Sequence, residues 1–266
     1  MKKRCAVIGV VIFMLLGFGT LSFGQTPDIS GQWLFDLSGT LQGGALITVT
    51  AVSAETDCQG YGYTFDGYGV GLEGGGKDGN AVLLSGCLAV DDKGKITGTY
   101  DTADLFEETP LGEGDLTGKV DKKVTKLSLK FDQGLNGKAI KLPSDPSMPL
   151  SWTATTNGNQ ATFDLTITAS PDFPSRMYTI TGEGMVHEQE GDLAVSLTGG
   201  FILDPKSVAY GWYEAYDESD ALMEEGLFFG KVKLTPGKSS FSFKLTGYDP
   251  EDDSMSKSVL KGTAND

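Results

Sequence analysis

Few side chains in this sequence are equipped for catalysis. His187 is the only histidine, in the segment Val186-His187-Glu188-Gln189-Glu190, which reads as an exposed turn. Acid–base chemistry needs a partner held against the base, and a Ser-His-Asp arrangement would have to run through this one residue. A histidine-rich zinc site is excluded by count. The 36 acidic residues guarantee that some carboxylate pair lies at glycosidase separation by abundance alone. Acids recur at equivalent places, Asp101, Asp104, Glu107 and Glu108 against Glu214, Asp217, Glu218 and Asp220, with a further run at Asp249, Glu251, Asp252 and Asp253. Calcium favours such oxygens, but none of these runs has the spacing of a known calcium loop, and they read as solvated connections. Gly69-Val70-Gly71-Leu72-Glu73-Gly74 matches G-x-G-x-x-G, which binds dinucleotides only between a strand and a helix; no helical pattern follows it. No catalytic residue, metal or cofactor is expected.

Aromatic rings carry more promise. Tyr61, Tyr63, Phe65 and Tyr68 crowd the stretch Gly60 to Gly79, whose glycines suggest a mobile loop. Tyr210, Trp212, Tyr213 and Tyr216 crowd one segment of the second half, where the first half has Thr97, Thr99, Tyr100 and Ala103. On a strand, Tyr210, Trp212, Glu214 and Tyr216 share one face and Tyr213 takes the other. The candidate ligand-binding residues are therefore Trp212, Tyr210, Tyr216, Tyr63 and Tyr68, with Trp33 and Trp152 near the starts of the two halves. Cys58 and Cys87 read as a disulfide, because no cysteine follows Cys87 and both are missing from the second half together; free thiols or a metal pair are the alternatives.

The halves themselves are copies. Residues 81–101 align without a gap on 194–214, with Ala81/Ala194, Gly86/Gly199, Asp91/Asp204, Gly98/Gly211 and Tyr100/Tyr213 among the identities. Each copy alternates apolar and polar residues with period two, as in Leu127, Leu129, Phe131 and in Phe241, Phe243, Leu245, which is the pattern of antiparallel strands wetted on one face. Asp92-Lys93-Gly94, Asn157-Gly158-Asn159, Glu190-Gly191-Asp192 and Pro236-Gly237-Lys238 supply hairpin turns. Glu214 to Glu225 has room for one helical turn at most. The expected fold is all-β, with two tandem antiparallel up-and-down modules, barrel or sandwich, at 25–141 and 148–266 and a linker at 142–147. One large barrel from two duplicated halves is the alternative.

Residues 1–24 have the layout of a secretory signal peptide: Lys2, Lys3 and Arg4, then the apolar run Ala6 to Leu16, then Ser22-Phe23-Gly24. Its removal takes away three positive residues and no acid, moving the formal charge from −15 to −18. So acidic a chain repels nucleic acid and anionic membrane surfaces. The expected location is extracytoplasmic, periplasmic or secreted, with no membrane span after cleavage. An outer-membrane barrel would show the same alternation, but the chain lacks a terminal aromatic strand.

Gly31-Gln32-Trp33 resembles the Gly-x-Trp opening of the calycin barrels, the lipocalins and avidins. Ile96-Thr97-Gly98-Thr99-Tyr100 followed by Leu116-Thr117-Gly118 resembles avidin-type strand ends. The resemblance implies an up-and-down barrel closed at one end by tryptophan and open to a small ligand at the other. Leu34 to Gly39 replaces the avidin residues that contact biotin, so biotin binding is not implied. The functional expectation is a non-catalytic barrel that binds a small apolar or aromatic molecule or a glycan. A structural or surface-interaction repeat protein is the alternative, and a secreted carboxylate-dependent glycosidase the third reading.

Overall fold

A computed structural model describes residues 26–265 apart from 53–57, 59, 74–78, 143–147, 172–175, 188–190 and 251–252. The signal-peptide segment and all of the expected linker except Leu142 lie outside the described residues, as do Glu251 and Asp252. The first half forms β1 (Gly31–Gly39), β2 (Leu41–Ala51), β3 (Tyr63–Glu73), β4 (Gly79–Val90), β5 (Lys95–Asp104), β6 (Pro110–Val120), β7 (Lys126–Phe131) and β8 (Leu135–Lys141). The second forms β9 (Ser151–Thr156), β10 (Ala161–Ala169), β11 (Met177–His187), β12 (Asp192–Leu203), β13 (Val208–Tyr216), β14 (Leu222–Lys233), β15 (Ser240–Asp249) and β16 (Ser254–Ala264). Within each half, every strand pairs antiparallel with its sequence neighbours. β1 then closes on β8 and β9 on β16, giving two separate eight-stranded barrels rather than one large one.

The period-two pattern explains the closure. In β7, Leu127 and Leu129 are buried while Lys126, Ser128 and Lys130 are exposed. In β15, Phe241, Phe243 and Leu245 are buried between exposed Ser242 and Lys244. Apolar residues thus fill the interiors and charged ones face outward, the reverse of a barrel that spans a bilayer. Among the described residues no helix is long and apolar enough to cross a membrane; the one helical segment is a 3₁₀ turn at Asn157–Asn159.

Turn chemistry accounts for the shared Asp91/Asp204 pair. Asp91 Oδ1 accepts the amides of Lys93 and Lys95 at 2.9 and 2.8 Å, and Asp204 Oδ1 those of Lys206 and Val208, both at 2.7 Å. Gly94 turns with φ 76° and Gly237 with φ 68°, the left-handed region that favours glycine. Of the stretch Gly60 to Gly79, expected to include a mobile loop, Tyr63–Glu73 is a regular strand paired on both edges, while 74–78 lie outside the described residues. A side chain on Gly67 would strike the Leu46–Ile47 backbone of β2. Gly67 therefore serves close strand packing.

Cys58 and Cys87 pair as a disulfide with Cα atoms 5.7 Å apart, tying the β2–β3 connection to β4. The bridged residues are 29 apart in sequence, and such a loop is worth about 3–4 kcal/mol on the chain-entropy view. Replacing both cysteines with serine should lower the unfolding free energy in urea by roughly that amount. Equilibrium unfolding followed by tyrosine and tryptophan fluorescence measures it.

Candidate functional site

Each barrel has a tryptophan at one end. Trp33 and Trp152 are fully buried, and their indole N–H groups donate to the carbonyls of Ile29 at 2.8 Å and Pro149 at 2.7 Å. Trp33 sits in a core cluster with Ile29, Val49, Leu88, Ile96 and Val120, all at the same end of their strands. Both tryptophans are thus packed, satisfied plugs, with no ring face open to a ligand. Tyr63 is at this closed end too, its hydroxyl donating to Pro27 O at 3.3 Å.

The opposite end of the first barrel is hollow. A cavity of about 200 Å³ runs inward from its mouth, walled by Phe35, Ile47, Phe65, Val82, Leu84, Tyr100, Leu129 and Phe131. Thr40, Asn80, Thr102 and Gln133 supply polar groups among its lining, near the mouth, beside Leu111, which is 46% exposed. The space exists because β2 and β3 present Ala45, Gly69 and Gly71 to the interior. In the second barrel the register sets Phe163 where Ala45 stands and Gly184 where Gly69 stands. The Phe163 ring lies over Gly184, where even a methyl group would strike it. Phe201, Phe228, Phe241 and Phe243 form an aromatic cluster in the same interior, with ring centroids 4.7 Å apart for Phe228–Phe243 and 4.3 Å for Phe241–Phe243. At their places the first barrel has the smaller Leu88, Leu116, Leu127 and Leu129. One interior is packed and the other leaves room.

Tyr100 and Tyr213, identical in the two copies, are buried inward residues whose hydroxyls reach a carboxylate. Tyr100 donates to Asp132 Oδ1 at 2.8 Å and packs edge-on to Phe131 with centroids 5.0 Å apart. Tyr213 donates to Glu224, which also accepts Ser256 Oγ at 2.9 Å. Burial first, and the bonded carboxylate second, push the Tyr100 hydroxyl up to about 12. Burial and Glu224 push Tyr213 upward as well.

The aromatic strand of the second half has another role. Tyr210 and Trp212 are half-buried on the outside of β13, against the outside of the first barrel. There β2 meets β12, β3 meets β13 and β4 meets β14. One cluster joins Leu34, Leu46 and Tyr68 to Met177, Ile202 and Trp212; the other joins Val70, Leu72 and Ala81 to Tyr210, Leu227 and Phe229. Lys206 Nζ adds an ion pair to Asp36 at 3.0 Å, too exposed to contribute much. The stacking surface expected at Tyr210 and Trp212 is therefore occupied by the protein itself. Trp212 lies over Gly200, its cross-strand neighbour, where a side chain would collide with the ring. Cys87 and Thr99 form the same pair in the first barrel. The missing cysteine and the added tryptophan are two ends of one cross-strand pair. Tyr216 lies beyond this contact, half-buried near the end of β13.

The seven aromatic candidates thus divide between the closed ends, the barrel-to-barrel contact and the end of β13, and none lines the cavity. A reading along the chain does not gather the cavity residues, because Gly69 and Gly71 read there as a nucleotide motif or as loop glycines and not as inward positions beside Ala45. Comparing inward positions across the copies, Ala45 against Phe163 above all, is the signal that finds them. His187 Nδ1 meets Asp192 Oδ1 at 2.9 Å on the surface, as a cross-strand pair of β11 and β12. Of the acid clusters, Asp104 and Asp217 cap their own turns, accepting Phe106 N at 2.8 Å and Ser219 N at 2.7 Å. Among the described residues no group of three or more potential ligands is placed to hold a metal.

No protein-family model matches the chain, and no curated protein matches it. The closed eight-stranded form is compatible with the calycin-like barrel that Gly31-Gln32-Trp33 resembles.

Two outcomes follow from this geometry. Trp212→Ala should destabilise the protein by about 2–4 kcal/mol, somewhat below the cost of deleting a fully buried tryptophan because the ring is half-buried, without emptying or filling the cavity; urea unfolding measures it. Stability should also fall as pH rises from about 10 toward 12. Tyr100 holds its proton up to about 12 when folded, against 10.0 for a free tyrosine, so the unfolded chain binds fewer protons across that window. Tyr100→Phe should make the fall shallower in urea titrations over the same pH range.

Proposed function

We propose that the first barrel is a receptor for a small, largely apolar molecule, and that the second is its packed, stabilising partner. The apolar cavity of about 200 Å³ carries this reading. An engineered cavity of about 150 Å³ with similar lining stays dry and binds benzene, so a one- or two-ring molecule or a short chain fits the space. The polar groups are few and near the mouth, which suits one orienting hydrogen bond rather than the many a glycan requires. Asp104, Glu107, Glu108 and Glu113 lie in or next to the β5–β6 connection at this end. Their field disfavours carboxylates and other anions and favours neutral or cationic ligands. The disulfide and the signal-peptide-like start support work outside the cytoplasm, where such bridges persist.

A test grafts the second barrel's own solution onto the first. Wild-type protein titrated with indole and naphthalene should melt at higher temperature, since a ligand bound only by the native state stabilises it. Ala45→Phe should abolish that shift while keeping the fold, as judged by circular dichroism. If the wild type shows no shift, or the variant shows the same one, the barrel is not a receptor, and the reading as a structural repeat replaces it.

A further inference from the structure

We infer a second binding site at the closed end of the first barrel, for an amphiphilic anion: an acyl chain bearing a phosphate, sulfate or carboxylate head. A cleft of about 1030 Å³ starts at the turns after β4 and β6, follows the outside of β8 and β1, and ends against the β12–β13 turn of the second barrel. In a chain of net charge −15, six lysines line this one cleft: Lys93, Lys119, Lys122, Lys126, Lys138 and Lys206.

Their arrangement is not that of a salt-bridged surface. Lys119, Ser128, Lys138 and Asp36 are successive cross-strand partners around the barrel wall, so neighbours in the row stand about 5 Å apart. Among the described residues only Lys206 has an ion-pair partner, Asp36; the other five have none. Four aspartates also line the cleft, but three are engaged. Asp121 Oδ1 accepts the amides of Thr125 and Lys126 at 2.7 and 2.9 Å, Asp204 Oδ1 those of Lys206 and Val208, both at 2.7 Å, and Asp36 holds Lys206. Asp92 is the fourth, and even with all four counted the lining keeps a net charge of +2, from six lysines less four aspartates.

The rest of the wall is aliphatic. Leu34, Ile140, Pro27 and Pro205 line it, and lysine stems extend that apolar surface while their ammonium groups stay wet. Ammonium groups recognise anionic oxygens as point charges without demanding planar geometry, and an aliphatic wall without aromatic rings suits a flexible chain better than a stacked sugar. The acidic mouth of the cavity and this lysine cleft belong to opposite ends of one barrel, so the two sites select opposite charges.

Calorimetric titration of the full chain with dodecyl phosphate, below its micelle-forming concentration, tests the site. The proposal expects saturable binding of one molecule that weakens with added salt, much weaker binding of dodecyl maltoside, and none of inorganic phosphate at equal concentration. Lys119→Glu/Lys138→Glu should weaken it by about tenfold or more, and the milder Lys119→Gln/Lys138→Gln pair should act in the same direction if the first fails to fold. Ala45→Phe should leave it unchanged, which separates this site from the cavity. Equal binding of dodecyl maltoside, inorganic phosphate binding as tightly, indifference to the lysine variants, or binding of polyglutamate in place of dodecyl phosphate would overturn it.

Discussion

Closing eight antiparallel strands into a ring sets the width of the interior before any side chain is chosen. What remains open is how much of that width the inward residues take up. The second barrel answers with Phe163 over Gly184 and with Phe201, Phe228, Phe241 and Phe243, whose rings meet edge-on, tilted or stacked. The first answers with Ala45, Gly69, Gly71 and a set of leucines, and stays partly hollow. A protein interior is otherwise close-packed, so unfilled apolar space costs stability. In this chain the hollow barrel is also the one with the disulfide, and it lies against a barrel with an aromatic core. Strength in one copy offsets room in the other.

The two copies do not meet as mirror images. The first uses the outside of β2, β3 and β4, and the second the outside of β12, β13 and β14, which are the counterparts of β4, β5 and β6. Each covered face is apolar in the copy that uses it and carries polar residues at several of the matching positions in the copy that does not. Ile202, Tyr210, Trp212, Leu227 and Phe229 correspond in register to Ala89, Thr97, Thr99, Asp115 and Thr117. Leu34, Leu46 and Tyr68 correspond to Thr153, Asp164 and Glu183.

Much of this fold was legible in the residues. Alternation in Leu127–Phe131 and Phe241–Leu245 places those side chains inside, and the matched segments 81–101 and 194–214 imply two similar modules. The β4–β5 and β12–β13 turns follow from Asp91 and Asp204. Barrel closure was less legible, because pairing of β1 with β8 is a contact between chain segments far apart, which no local pattern encodes. The aromatic strand was visible but ambiguous: an apolar outward face looks the same whether a ligand or a neighbouring barrel covers it. The cavity was harder still, since it is defined by volume that side chains leave empty. Glycine in a strand can serve a close backbone approach or line an interior space; on β3, Gly67 lies against the β2 backbone and Gly69 lines the cavity between the side chains of Val82 and Leu84.

The polar counterparts of the covered faces carry a consequence for assembly. A head-to-tail contact between unlike faces does not use itself up. If both copies kept both faces, each barrel would offer a fresh socket to the next, and the chain would grow into an open fibre. Thr97, Thr99 and Asp115 blunt one terminus of that series, and Asp164 and Glu183 blunt the other. The duplication thus places the two unlike faces in different copies, so that the contact described between the barrels is made once within the chain.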